Sequence, residues 1–180
     1  MAEPACVFLE SVIQVKNSNK NEVAIYAGTF DPLTFGHLDL IQRSAGIFPR
    51  VIVAASADTV KQTLFSAEER VDMIQQVVKR LDLKNVTVEV FDGLLVEYAR
   101  SRNVSIIIRG LRAYSDFEYE FQMALTNRKL EPEIETLFMM PKEVHSYVSS
   151  STVKEVAKLG GSIHAFVPPE IQEALQLKFQ

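Results

Sequence analysis

Five short apolar runs, each followed by a segment with helical periodicity, constrain this chain more than any other feature. The runs are Val23–Tyr26, Val51–Ala55, Val86–Val90, Ser105–Ile108 and Thr136–Met139. Four of them are rich in Val or Ile, as strands buried on both faces are. Helical patterns occupy His37–Ile47, Ser66–Leu81, Leu94–Arg102 and Ser115–Leu130, with two more at Ser150–Leu159 and Pro169–Phe179. A strand that hands on to a helix and then to another strand closes a right-handed βαβ unit. Repeating that unit predicts an α/β fold: a Rossmann-like, doubly wound, five-stranded parallel sheet with helices on both faces and C-terminal helices. Residues 22–180 then form a single domain and residues 1–21 an N-terminal extension, joined to it through the polar link Lys16-Asn17-Ser18-Asn19-Lys20-Asn21.

A sheet of this kind binds ligands beyond the carboxyl ends of its strands, where the strand order reverses. In the usual order the first and fourth strands are neighbours there, so the residues that follow them carry the search for a site. After the first strand comes GTFDPLTFGH, Gly28 to His37, entering a helix. Such a turn offers free backbone N–H groups to an anion. Thr29 adds a hydroxyl. His37, at the positive end of a helix, is biased toward the neutral form yet keeps one N–H to donate. Asp31-Pro32 reads as turn chemistry, the carboxylate binding local N–H groups.

After the fourth strand comes Arg109-Gly110-Leu111-Arg112, two guanidinium forks able to grip separate phosphoryl groups. Lys61, after the second strand, is a third cation. A run of hydroxyls, His145-Ser146-Tyr147-Val148-Ser149-Ser150-Ser151-Thr152, leads into the Ser150–Leu159 helix. One serine is expected to cap that helix, and the others are candidates for a polyphosphate. Of seven glycines, Gly46, Gly93 and Gly160-Gly161 read as helix ends and a loop, whereas Gly28, Gly36 and Gly110 fall at the predicted site edge.

Global charge narrows the partners. Nineteen Lys and Arg stand against 23 Asp and Glu, a net charge of −4, which gives no field for nucleic acid or an anionic membrane. One cysteine and three scattered histidines provide no disulfide framework and no zinc spacing, and point to the cytoplasm. The chain lacks the P-loop and the G-x-G-x-x-G fingerprint.

GTFDPLTFGH, KQTLFSAEER (Lys61–Arg70), RGLRAYSDFEYE (Arg109–Glu120) and SYVSSSTVKEV (Ser146–Val156), in that order, closely resemble the bacterial phosphopantetheine adenylyltransferases, nucleotidyltransferases with a T/H-x-G-H signature. The resemblance runs from about Val23 to Leu177. It implies formation of dephospho-CoA and pyrophosphate from ATP and 4′-phosphopantetheine, with Mg²⁺ held mainly through the ATP phosphates and no protein metal ligands. It also implies that His37 stabilises the transition state, and that Thr29, Lys61, Leu95 and Arg109 hold phosphopantetheine. ATP would fall to Thr29, Phe30, His37, Gly110, Leu111, Arg112, Glu120, His145, Ser146, Tyr147, Val148, Ser149, Ser150 and Ser151. A homohexamer and feedback inhibition by coenzyme A follow from the same resemblance. Phe35 departs from it, standing where an asparagine is common, and puts the local turn bonding in question. Two alternatives remain open on the residues alone: another small-molecule adenylyltransferase, such as one acting on nicotinate mononucleotide, and a catalytically silent nucleotide sensor on the same fold.

Overall fold

The structure is a computed structural model, which describes residues 23–57, 62–112 and 114–179, with only the backbone of residues 114–116. The N-terminal extension and Lys61 lie outside the described residues. The strands are β1 (Val23–Gly28), β2 (Arg50–Ser56), β3 (Val86–Phe91), β4 (Ile106–Gly110) and β5 (Glu135–Met139). The helices are α1 (Phe35–Ile47), α2 (Ala67–Arg80), α3 (Leu95–Ser101), α4 (Tyr114–Leu130), α5 (Glu143–Ser146), α6 (Ser150–Lys158) and α7 (Pro169–Phe179). All the expected elements are present. The additional one, α5, is a single turn with no buried residue, too short for periodicity to reveal.

The sheet is parallel throughout with order β3-β2-β1-β4-β5. The chain winds outward from β1 in one direction, then returns to start again on its other side, so β1 and β4 are neighbours. Ala24, Ile25 and Tyr26 lie opposite Ile106, Ile107 and Ile108. Alternation along β1 sends Ala24 and Tyr26 into a core shared with α1, α2, α6 and α7. Val23, Ile25 and Ala27 enter a smaller core on the other face, with Val96 and Ala99 of α3. Helices therefore cover both faces, as the βαβ series requires.

Several ends are locally encoded. Ser66 caps α2 in a capping box with Glu69, as the S-x-x-E spacing predicts. Gly160 closes α6 at φ 73°, with the N–H groups of Gly160 and Gly161 returning to the carbonyls of Ala157 and Val156. Gly46, read from sequence as following a helix, instead lies inside α1, which continues to Ile47 and is capped by Phe48. Nothing crowds its Cα, so the helix tolerates it.

Candidate functional site

The turn after β1 is built around Phe30. Its backbone takes a positive φ of 51° and its ring, 2 % exposed, folds back over Gly28. A Cβ on Gly28 would come 2.9 Å from that ring, which is why glycine ends the strand. The ring lies edge-on between Tyr26, at 5.4 Å between centroids, and His37, at 5.2 Å. Phe30 therefore offers a ligand its backbone rather than its side chain.

His37 is held by its own helix start. Thr34 is the N-cap of α1, and its backbone N–H donates to His37 Nδ1 at 3.1 Å while its hydroxyl accepts from the His37 N–H. A backbone N–H can only donate, so Nδ1 is unprotonated and the imidazole proton sits on Nε2. Burial, and then the charges of Arg112 and Arg109, lower the His37 pKa to about 3. The ring is thus neutral, in one tautomer, with Nε2–H as its free donor. The position of Thr34 in the T-x-G-H motif is explained by this bond. Phe35 leaves the turn's bonding intact: its N–H donates to the Phe166 carbonyl at 2.9 Å, and its ring packs 5.7 Å from that of His145.

Asp31 departs from the expected local turn chemistry. It is 4 % exposed and its carboxylate accepts the N–H groups of Leu64 and Phe65 and pairs with Lys154 of α6. One side chain thereby joins the turn after β1, the connection into α2 and the C-terminal region. Ser150 strengthens the last link by donating to the Pro32 carbonyl at 2.8 Å.

Across the β1–β4 boundary lies Arg109. Its Nε and Nη2 donate to the two oxygens of Glu120 at 2.7 and 2.6 Å, and its Nη1 donates to the Ala27 carbonyl at 2.6 Å. Burial acts to lower its pKa, but the bonds and charge of Glu120 outweigh that and raise it above the usual arginine value. The guanidinium is fixed against β1 by its partner rather than extended into solvent. Gly110 gives α1 room: a Cβ there would lie 2.7 Å from Leu40 Cδ1. Leu111 donates its N–H to the Met139 carbonyl, carrying the arginine loop toward β5. Burial also drives the phenol of Tyr26 to a high pKa, so that it stays protonated beneath the arginines.

The hydroxyl run divides its work. Ser149 caps α6 by accepting the Thr152 N–H at 3.0 Å, and Ser150 holds the turn after β1. Ser146 donates to the Glu143 carbonyl within α5. Ser151 is exposed on the first turn of α6 and Tyr147 is 71 % exposed, whereas Val148 is buried in the main core. Half-buried His145 lies against α1: its carbonyl would be 3.3 Å from a Cβ on Gly36. Leu95 opens α3 after β3 and packs against the smaller core, to which β1 contributes Val23, Ile25 and Ala27. The structure thus brings Thr29, Phe30, His37, Arg109, Arg112, Glu120 and the α5–α6 segment to one region at the carboxyl edge, and Leu95 packs under the sheet at the start of α3.

Sequence reasoning passed over Arg70. Its side chain is 1 % exposed and donates to four backbone carbonyls: Thr29 after β1, Ser56 at the end of β2, and Phe65 and Ser66 before α2. A signal was available, because Arg70 stands four and seven residues before Ile74 and Val77 on the buried stripe of α2. A charge on that stripe needs a dedicated set of acceptors.

Residues 25–156 match the cytidylyltransferase-like family. A phosphopantetheine adenylyltransferase of Caldanaerobacter subterraneus subsp. tengcongensis is 52 % identical over 158 residues, which cover 88 % of this chain and 98 % of that protein. One from Geobacter metallireducens is 54 % identical over 158 residues, covering 88 % and 96 %. Among solved structures, the Plasmodium falciparum nicotinic acid mononucleotide adenylyltransferase complexed with NaAD superposes with a TM-score of 0.65, covering 87 % of this chain and 95 % of its own. At 12 % identity it speaks for the fold alone.

Proposed function

The chain belongs to the phosphopantetheine adenylyltransferases and to the cytidylyltransferase-like family, and from that premise we propose how its residues divide the work. The enzyme transfers AMP from ATP to 4′-phosphopantetheine, giving dephospho-CoA and pyrophosphate in coenzyme A biosynthesis. The observation that carries the residue assignment is the bond from the Thr34 N–H to His37 Nδ1.

With Nδ1 committed, Nε2–H is a donor held in place before any charge develops, which is the condition for electrostatic stabilisation of a transferring phosphoryl group. We assign it to the oxygens around the α-phosphorus of ATP. The attacking group is a phosphate monoester, already anionic at neutral pH, so the step requires no general base and no covalent enzyme intermediate. The P–O bond from the acceptor forms as the bond to pyrophosphate breaks, and the leaving oxygen takes the electron pair. Alignment then carries the rate. Arg109 and Lys61 hold the acceptor phosphate, with Thr29 between the two substrates and Leu95 along the pantetheine arm. Phe30, Gly110, Leu111, Arg112, Glu120 and the stretch from His145 to Ser151 hold ATP. Glu120 has a second task in this scheme, because its bidentate grip orients the Arg109 fork.

Among the described residues no cluster of three or more His, Cys, Asp or Glu could hold a metal ion. We propose that Mg²⁺ is held mainly through the ATP phosphates, where it would offset charge on the departing pyrophosphate. Assembly as a homohexamer is supported by α4. Its apolar residues Phe117, Phe121 and Leu125 are each close to half exposed, and none of its residues from 117 onward belongs to either core. We also propose a cytoplasmic location and inhibition by coenzyme A, which shares the pantetheine arm of the product. Among the described residues no helix is long and apolar enough to cross a membrane.

Calorimetric titration tests the assignment of the acceptor pocket. Wild-type protein is expected to bind both ATP and 4′-phosphopantetheine. Arg109→Ala should weaken phosphopantetheine at least tenfold and leave ATP within about threefold, given the worth of a charged hydrogen-bond pair. A variant that loses ATP alone contradicts the division.

A further inference from the structure

We propose that Arg70 is a positioning residue for the nucleotide: by anchoring the Thr29 carbonyl it turns the Phe30 N–H outward as a donor to a phosphate of ATP. The inference rests on the adenylyl-transfer reading given above and adds to it a residue outside the substrate contacts.

Three observations meet at this peptide. The Arg70 guanidinium, sealed within the protein, donates through Nη1 to the Thr29 carbonyl and through Nη2 to the Ser56 carbonyl at 2.9 Å. The Thr29 carbonyl and the Phe30 N–H belong to one planar trans peptide, so they point in opposite directions. A carbonyl drawn inward to a buried cation therefore directs its N–H away from the interior. Finally, the Phe30 N–H has no acceptor among the described residues, although the Phe30 ring is one of the most deeply buried groups of the turn.

Arginine suits the task for a geometric reason. Nε donates to Phe65 and Ser66 at 3.2 Å each, which fastens the base of the fork to the start of α2, while the two terminal nitrogens reach β1 and β2 separately. A lysine has one nitrogen and cannot span both strand ends from that stem. The bonds also cross elements: α2 holds the ends of β1 and β2 in register at the carboxyl edge of the sheet. A guanidinium that served only to stabilise α2 would have no need of Thr29.

The test follows the Phe30 amide by ¹H–¹⁵N spectroscopy on a deuterated sample while ATP is added, in wild type, Arg70→Lys and Arg70→Gln. ATP is expected to shift the wild-type Phe30 proton downfield. In Arg70→Lys that shift should fall by at least half and the ATP Kd should rise about tenfold, with phosphopantetheine affinity within twofold. A wild-type Phe30 amide indifferent to ATP overturns the proposal, as does a variant that keeps both shift and affinity. Loss of a dispersed spectrum in both variants overturns it too, because Arg70 would then serve folding. Wild-type turnover separates the two levels: a protein that makes dephospho-CoA without a Phe30 shift refutes Arg70 alone, whereas a protein that neither binds ATP nor turns over refutes the adenylyl-transfer reading along with it.

Discussion

Replacing His37 by Gln separates catalysis from folding, because glutamine can take over one of the two jobs that His37 performs. At the third position of α1 the imidazole accepts the Thr34 N–H, closing a capping box. Glutamine closes the same box, since S/T-x-x-E/Q is its usual form. It cannot present Nε2–H in the same place. Turnover should drop about 100-fold, or about 2.7 kcal/mol, with ATP affinity retained. The pH dependence of stability supplies the second reading. Histidine in the unfolded chain titrates at 6.5, whereas burial and the two arginines hold the folded His37 near 3. The unfolded state therefore binds the extra proton as pH falls, so this contribution is complete above about pH 6.5 and is lost on the way down toward 3. Between pH 7 and pH 5 the loss from His37 amounts to about 2 kcal/mol, and the Gln variant should lack that share of the slope. Urea unfolding of both proteins at the two pH values measures the difference, and imidazole ¹⁵N spectra follow the titration directly. An identical slope in the two proteins, or a His37 that titrates between pH 6 and 7, refutes the reasoning.

Asp31→Asn keeps one acceptor but leaves Lys154 without its counter-charge, at a cost of about 2–3 kcal/mol, which in a chain of this size lowers Tm by roughly 5–10 °C in a thermal scan. Ser149→Ala removes the acceptor for the Thr152 N–H and should cost about 1 kcal/mol by urea unfolding, whereas an unchanged midpoint would show that the cap does not stabilise α6. Placing charges on α4 with Phe117→Glu and Phe121→Lys, whose rings stack at 5.6 Å, should reduce the mass measured by light scattering to that of smaller species, whereas unchanged mass would remove α4 from the assembly.

The sequence carried those features whose causes are local. Runs of Val and Ile between helical periods marked the five strands, and the usual doubly wound arrangement made the first and fourth neighbours. The neutral His37 expected from its helix start owes that state mainly to burial and then to the two arginines. Thr34 was legible as part of a motif, but its bond to Nδ1 was not, since a cap and a tautomer are decided together in three dimensions. Asp31 looked like a local turn former because Asx turns are common, yet its carboxylate reaches residues 33, 34 and 123 positions away in the chain. Glu120 and Arg109 were both picked out, on different substrates, and the helix that returns Glu120 to the sheet makes them partners. Arg70 had a readable sign, a charge on an apolar stripe. Its acceptors are backbone carbonyls of three segments, which no residue pattern encodes.

Steady-state pyrophosphate release from ATP, with 4′-phosphopantetheine and nicotinate mononucleotide supplied in turn, tests the central claim most directly. Rapid release with phosphopantetheine, accompanied by dephospho-CoA in equal amount and near background with the mononucleotide, is the predicted result. Release that favours the mononucleotide, or ATP binding with no pyrophosphate from either acceptor, would contradict it.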